Sequence, residues 1–285
     1  MYKRTEGFFQ GHEDIKLYYQ VWSQPSPQGH IVITHGQGEH SDCYNRLIDF
    51  FSESKSKNPW NFYAWDLRGH GRSEGRRGYA TEFEDYCSDY LKFLDFILNE
   101  KSLQKGPIIL LSHSMGGLIK TKTLMDNPRI IPQALVYSAP LFGVAVKVPA
   151  YKDHGAAFLN RWVPQITLGN EIDNSFLTRD KDVIREYEQD ILRHTRISPG
   201  VYLGIKKTFD FVMPKAKKIR FPTLIQISET DQVVSYQKAK EFFSALESPI
   251  KKFISYNENA KHELYNDIIR RQVFTDLKEF AESFI

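Results

Sequence analysis

Along the chain, apolar positions first alternate with polar ones and then run together. Residues 6–12 and 15–23 carry aromatic and β-branched side chains in partial alternation, the pattern of two antiparallel edge strands, and Pro25, Pro27 and Gly29 close them. Short, largely apolar runs follow at 30–34, 62–65, 108–111, 134–137, 223–227 and 251–256. Strands covered on both faces read this way, so these runs predict a mostly parallel sheet between helices, an α/β fold. Before the third run, Phe83, Tyr86, Cys87, Tyr90, Leu91, Leu94, Ile97 and Leu98 recur at three and four positions and predict an amphipathic helix over 81–103. Thr81 and Glu84 stand at capping-box spacing at its start, and Cys87 falls on the apolar face as a core residue. A closing amphipathic helix is predicted over 267–284.

This alternation breaks once. From 141 to 218 there is no further strand candidate, only helix-like stretches at 156–163, 180–194 and 201–211 joined by Pro and Gly. The expected organisation is therefore a core made of residues 1–140 and 219–285 with a helical cap, 141–218, inserted above the strand ends. Insertions at the carboxyl edge of a parallel sheet commonly build pockets and lids, because ligands bind there.

Composition narrows the function classes. With 285 residues, 41% of them hydrophobic and 26% charged, the chain is long enough to bury a large core. Its 38 Lys and Arg against 35 Asp and Glu leave a net charge of +3, too small an excess for a nucleic-acid-binding surface. Cys43 and Cys87, the two cysteines, make neither a disulfide framework nor a metal-site spacing, and no metal or cofactor is expected. The first residues lack the apolar stretch of a signal peptide, and no run approaches the roughly 18 apolar residues of a membrane span. A cytoplasmic protein is expected.

The candidate chemistry gathers at strand ends. The run 108–111 stops at Ser112-His113-Ser114-Met115-Gly116-Gly117, which places Ser114 on a strand-turn-helix like the elbow that exposes a nucleophilic serine. Ser112 stands where that motif usually has its first glycine and meets the requirement for a small side chain. A serine hydroxyl needs a base and oxyanion donors, and the order serine, acid, histidine is expected along such a chain. Asp231 follows the run 223–227 as the acid, with Glu229 as its rival, and His262 follows 251–256 as the base, since the other eight histidines precede the acid. The turn at 35–40, His-Gly-Gln-Gly-Glu-His, brings backbone near a ligand, and the N–H groups of Gln37 and Met115 are the expected oxyanion donors. His35 is expected to brace this loop from inside, and His113 to point away from Ser114.

The stretches 35–40, 66–75 (Asp-Leu-Arg-Gly-His-Gly-Arg-Ser-Glu-Gly) and 112–117 together resemble the α/β-hydrolases of the monoacylglycerol lipase and lysophospholipase family, the serine-aminopeptidase-like hydrolases. Leu168-Gly169, the segment 175–179 and Lys261-His262-Glu263 are similar to that family's cap and histidine turn. The resemblance runs through the whole chain. It implies an α/β-hydrolase fold with an eight-stranded sheet, a catalytic triad of Ser114, Asp231 and His262, and an oxyanion hole at Gln37 and Met115. It also implies that Glu39 lies near the polar head of a bound monoglyceride. One departure stands out: where the family commonly reads Gly-Arg-Tyr, this chain has Asp42-Cys43-Tyr44, without the arginine. The stretch 66–75 is read as a structural turn tied by Asp66, Arg68 and His70.

An inner face for an acyl chain is expected from Leu141, Phe142, Phe158 and Trp162, with Val144, Val146, Val148, Leu159 and Val163 adding apolar surface. Lys147, Lys152 and Arg161 among them suit anionic head groups, so peripheral membrane association through the cap is a further expectation. The expected activity is hydrolysis of a single-chain lipid ester, monoacylglycerol before other substrates. Lysophospholipid hydrolysis, another carboxylesterase or peptidase activity of the same fold, and a silent binding protein are the alternatives.

Overall fold

The computed structural model describes residues 2–54, 59–98, 106–145, 149–257 and 259–285. Strands β1 (Lys3–Gln10), β2 (Lys16–Ser23), β3 (Gly29–Thr34), β4 (Trp60–Trp65), β5 (Ile108–His113), β6 (Ala134–Ser138), β9 (Thr223–Ser228) and β10 (Lys251–Tyr256) form one eight-stranded sheet in the order β1-β2-β4-β3-β5-β6-β9-β10. The first two strands pair antiparallel, β2 meets β4 antiparallel, and every later pairing is parallel. All eight predicted strands are present.

Within each central strand, successive side chains enter opposite cores. Ile31, Ile33, Ile109 and Leu111 pack with Leu47, Ile48 and Phe51 of α1 (Asn45–Glu53) and with Val273, Phe274 and Leu277 of α9 (Arg270–Glu282). Val32 and Leu110 pack on the other face with α2 (Glu84–Leu98), α3 (Met115–Asp126) and α8 (Tyr236–Ala245). Burial on both faces explains why these strands read as largely apolar runs.

Helix α2 starts later than the capping-box pattern predicts. Its first turn is closed instead by Asp85, whose Oδ2 accepts the backbone N–H groups of Thr81 and Glu82 at 3.0 and 3.1 Å. The expected tail of this helix at 99–103 lies outside the described residues.

Between β6 and β9 the chain forms α4 (Ala150–Trp162), α5 (Asn174–Leu177), α6 (Lys181–Gln189) and α7 (Pro199–Val212). The Asp180 carboxylate caps α6, and Ser198 with Pro199 starts α7, both ordinary helix-start chemistry. Two short strands, β7 (Leu168–Gly169) and β8 (Arg196–Ile197), pair antiparallel here, where the sequence offered no strand pattern. Two residues are too few to show an alternation. At the start of this segment Leu141 N–H donates to the Ser114 carbonyl at 3.0 Å, and Ala145 N–H donates to the Val233 carbonyl at 3.1 Å. Val146, Lys147 and Val148 lie outside the described residues. Among the described residues, no helix is long and apolar enough to cross a membrane.

Candidate active site

Ser114 sits between β5 and α3 with φ +48° and ψ −120°, a conformation that L-residues rarely adopt. The turn is held by Ser114 N–H donating to the Ser138 carbonyl at 3.1 Å and by Gly117 N–H donating to the Ser114 carbonyl at 2.9 Å. Gly116 lets the start of α3 close on β3, since a Cβ there would stand 2.5 Å from the carbonyl oxygens of both Thr34 and His35.

His262 and Asp231 arrive from the ends of β10 and β9. The Ser114 hydroxyl lies 3.0 Å from His262 Nε2, and His262 Nδ1 lies 2.8 Å from Asp231 Oδ2. With an ionised carboxylate on one side, Nδ1 carries the hydrogen and Nε2 is free to accept the serine proton. Asp231 Oδ1 accepts the N–H groups of Val233 and Val234 at 2.7 and 2.9 Å, which fixes the carboxylate. The rival acid, Glu229, is exposed and accepts from Ser255 Oγ at 2.8 Å.

Burial disfavours the imidazolium of His262. The Asp231 charge and hydrogen bond, with Glu263 and Glu39 behind them, outweigh that effect and raise its affinity for a proton above the ordinary value. Burial pushes Asp231 upward, but His262 and the two backbone donors hold it below the ordinary carboxylate range. Such an arrangement can accept a proton from a serine hydroxyl and steady the ion pair that forms.

Met115 N–H belongs to the first turn of α3, where a helix supplies no carbonyl partner and its positive end faces outward. The neighbouring loop is pinned by Gly36 N–H donating to Glu39 Oε2 at 2.8 Å and by Gln37 Nε2 donating to the Arg196 carbonyl at 2.6 Å. His35 Nδ1 donates to the Gly36 carbonyl at 2.7 Å and its Nε2 accepts Leu67 N–H at 3.0 Å, joining this loop to 66–75. Within that stretch Asp66 accepts Ser41 N–H and Arg72 N–H, both at 2.7 Å, and Arg68 grips Asp89 of α2.

A cavity of about 150 Å³ opens over Ser114 and His262. Gln37 and Glu39 line it, whereas Leu141, Phe142, Phe158 and Trp162 do not. Leu141 and Phe142 are buried, with the Phe142 ring stacked on Phe242 at 3.9 Å. Phe158 and Trp162 face outward, 63% and 66% exposed. His113 does not turn away from the site as its position in the elbow suggested: it lines the cavity, and its ring centroid is 4.7 Å from that of His262. Burial, with the nearby His262, lowers its proton affinity to about 3, so it is neutral. Tyr187, Arg193 and His194, from the segment between β6 and β9, also line the cavity. No sequence motif pointed to these three. Among the described residues, no cluster of His, Cys, Asp or Glu is arranged to hold a metal ion.

The family model described as "Serine aminopeptidase, S33" matches residues 25–268. The chain belongs to this family of hydrolases. An abhydrolase-domain protein of Dictyostelium discoideum is 26% identical over 270 residues, 94% of this hydrolase but 28% of that longer protein. A protein of Escherichia coli, YnbC, is 28% identical over 86% of this chain and 41% of its own length. This hydrolase thus spans well under half of those two relatives. Phospholipase YtpA of Bacillus subtilis is 27% identical over 93% of this chain and 99% of its own. The crystal structure of Paleococcus ferrophilus monoacylglycerol lipase superposes with a TM-score of 0.80 at 25% identity, covering 100% of both chains, and the α/β-hydrolase fold is shared.

Proposed function

We propose that this hydrolase cleaves carboxylic esters of single-chain lipids through a serine nucleophile, with monoacylglycerol as the substrate and glycerol and a fatty acid as products. The observation that carries the reading is the continuous path from Ser114 Oγ through His262 to Asp231, at 3.0 and 2.8 Å. In this reading Ser114 Oγ attacks the ester carbonyl while His262 Nε2 takes its proton and Asp231 steadies the imidazolium. The carbonyl oxygen becomes an oxyanion held by the N–H groups of Gln37 and Met115. Collapse expels the glycerol oxygen, which receives the proton from His262 and leaves an acyl ester on Ser114. Water, deprotonated by His262, then releases the fatty acid and restores the serine. The lipase and phospholipase activities named for its relatives support the substrate class.

Residues 141–218 serve in this reading as the cap. A cavity of about 150 Å³ is smaller than the roughly 300–1,000 Å³ of pockets that engulf a drug-sized ligand, so a long acyl chain enters by displacing part of the cap. Helix α4 is the element suited to meet a lipid surface. Tyr151, Phe158 and Trp162 share one of its faces, flanked on one side by Arg161 and on the other by Lys152, which pairs with Glu171 at 2.6 Å.

A panel of monoacylglycerols and lysophospholipids of graded chain length tests this reading against wild type and Ser114→Ala. Monoacylglycerol turnover that falls about 10⁴-fold or more in the variant is expected. Exclusive turnover of lysophospholipids or of aminoacyl amides would overturn the substrate, and undiminished activity in Ser114→Ala would overturn the mechanism.

A further inference from the structure

The back wall of the cavity holds charges that the path from Ser114 to Asp231 does not use. Arg193, in the turn between α6 and β8, is almost wholly enclosed, and its Nη2 donates to Glu263 Oε1 at 2.5 Å. Its guanidinium lies 3.7 Å from the centroid of the Tyr187 ring, and Nη1 lies 3.3 Å from Cys43 Sγ. Glu263 is the residue after His262. Its second carboxylate oxygen accepts from the Tyr187 hydroxyl and from Asn266 Nδ2. The backbone of the same turn is held by the inserted segment: His262 N–H donates to the Phe176 carbonyl at 3.2 Å and Glu263 N–H to the Leu177 carbonyl at 2.8 Å.

A carboxylate buried here without a partner would be strongly destabilising. It would also add to Asp231 in retaining a proton on His262, and a base that is already protonated cannot accept one from serine. We propose that Arg193 is a positioning residue for the hydrolysis, pairing with Glu263 so that the turn carrying His262 is fixed and its extra negative charge is cancelled. The proposal rests on the reading of His262 as the general base.

The other groups around His262 agree with this division of roles. Burial raises Glu263, but Arg193, with the Tyr187 hydroxyl, brings it down to about 2, so it is ionised. Burial and the Glu263 charge lift Glu39 to about 7, against the pull of Arg193 and Gly36 N–H. Near neutral pH the wall therefore carries one full carboxylate, partial ionisation of a second, and one guanidinium. Asp231 faces His262 from the end of β9 and His113, neutral, from the end of β5. Lys261 turns away to Gln232 Oε1 at 2.9 Å.

The test is the pH dependence of kcat/KM for a short, uncharged p-nitrophenyl ester, whose acid limb reports the base of the free enzyme. Arg193→Gln leaves Glu263 uncompensated, favours the imidazolium, and moves the limb up by about one pH unit. Glu263→Gln leaves the guanidinium uncompensated and moves it down. The double variant, and Arg193→Lys, which keeps the charge, return it to within about 0.3 units of wild type. A lower kcat with an unmoved limb in both single variants would overturn the proposal, leaving Arg193 a packing residue. If Arg193→Gln fails to fold, the Glu263→Gln and Arg193→Lys profiles decide alone. Undiminished turnover in Ser114→Ala is the distinct result that would remove the base reading on which this depends.

Discussion

A Cβ on Gly116 would stand 2.5 Å from the carbonyl oxygen of Thr34. That approach brings the start of α3 down onto the end of β3 and sets the elbow beside the 36–39 turn. Backbone cannot yield as a flexible side chain would, so Gly116→Ala is expected to cost about 1–3 kcal/mol through overpacking. Thermal unfolding reads this as a clear fall in Tm with a matching loss of esterase activity. An unchanged Tm would show that the two elements are not held in that contact.

Glu39 carries a pH signature of its own. It is buried, and its proton affinity in the fold is raised to about 7 from the ordinary 4.5 by burial and by Glu263. The fold therefore prefers its protonated form: this contribution to stability is complete below about pH 4.5 and is lost as pH rises through about 7. Glu39→Gln keeps an acceptor for Gly36 N–H and removes the ionisation. Its Tm advantage over wild type is expected to be larger at about pH 8.5 than at about pH 5. A difference that stays constant with pH, or shrinks as pH rises, would contradict the assignment.

The exposed face of α4 predicts behaviour at membranes. Flotation with anionic liposomes should recover the wild-type protein, and a Phe158→Ser, Trp162→Ser double variant should stay at the bottom of the gradient while keeping its activity on a short ester. Wild type remaining wholly unbound would sink the docking role.

Much of this architecture was legible because burial leaves a periodic mark. The strands with two covered faces read as largely apolar runs, and Ser114 and Asp231 each follow one of them, while His262 follows the more exposed edge strand β10. The segment between β6 and β9 was less legible. Phe158 and Trp162 look like lining by composition, but apolar character does not tell which face of a helix turns inward when both a core and a surface can use it. Arg193 was invisible for a different reason. Its partner Glu263 is 70 residues away, and no local pattern joins an arginine in an irregular turn to a carboxylate beside the histidine. Cys43 offered half the signal, as a place where an arginine was absent. The structure brings another guanidinium to within 3.3 Å of its sulfur.

The role of Ser114 as an activated nucleophile is read out by a fluorophosphonate probe. Intact-mass analysis with peptide mapping should find one adduct, on Ser114, formed rapidly at neutral pH. The adduct should be absent in Ser114→Ala and formed far more slowly in His262→Ala. No adduct on wild-type protein, or an adduct at another residue with Ser114 unmodified, would rule out that role.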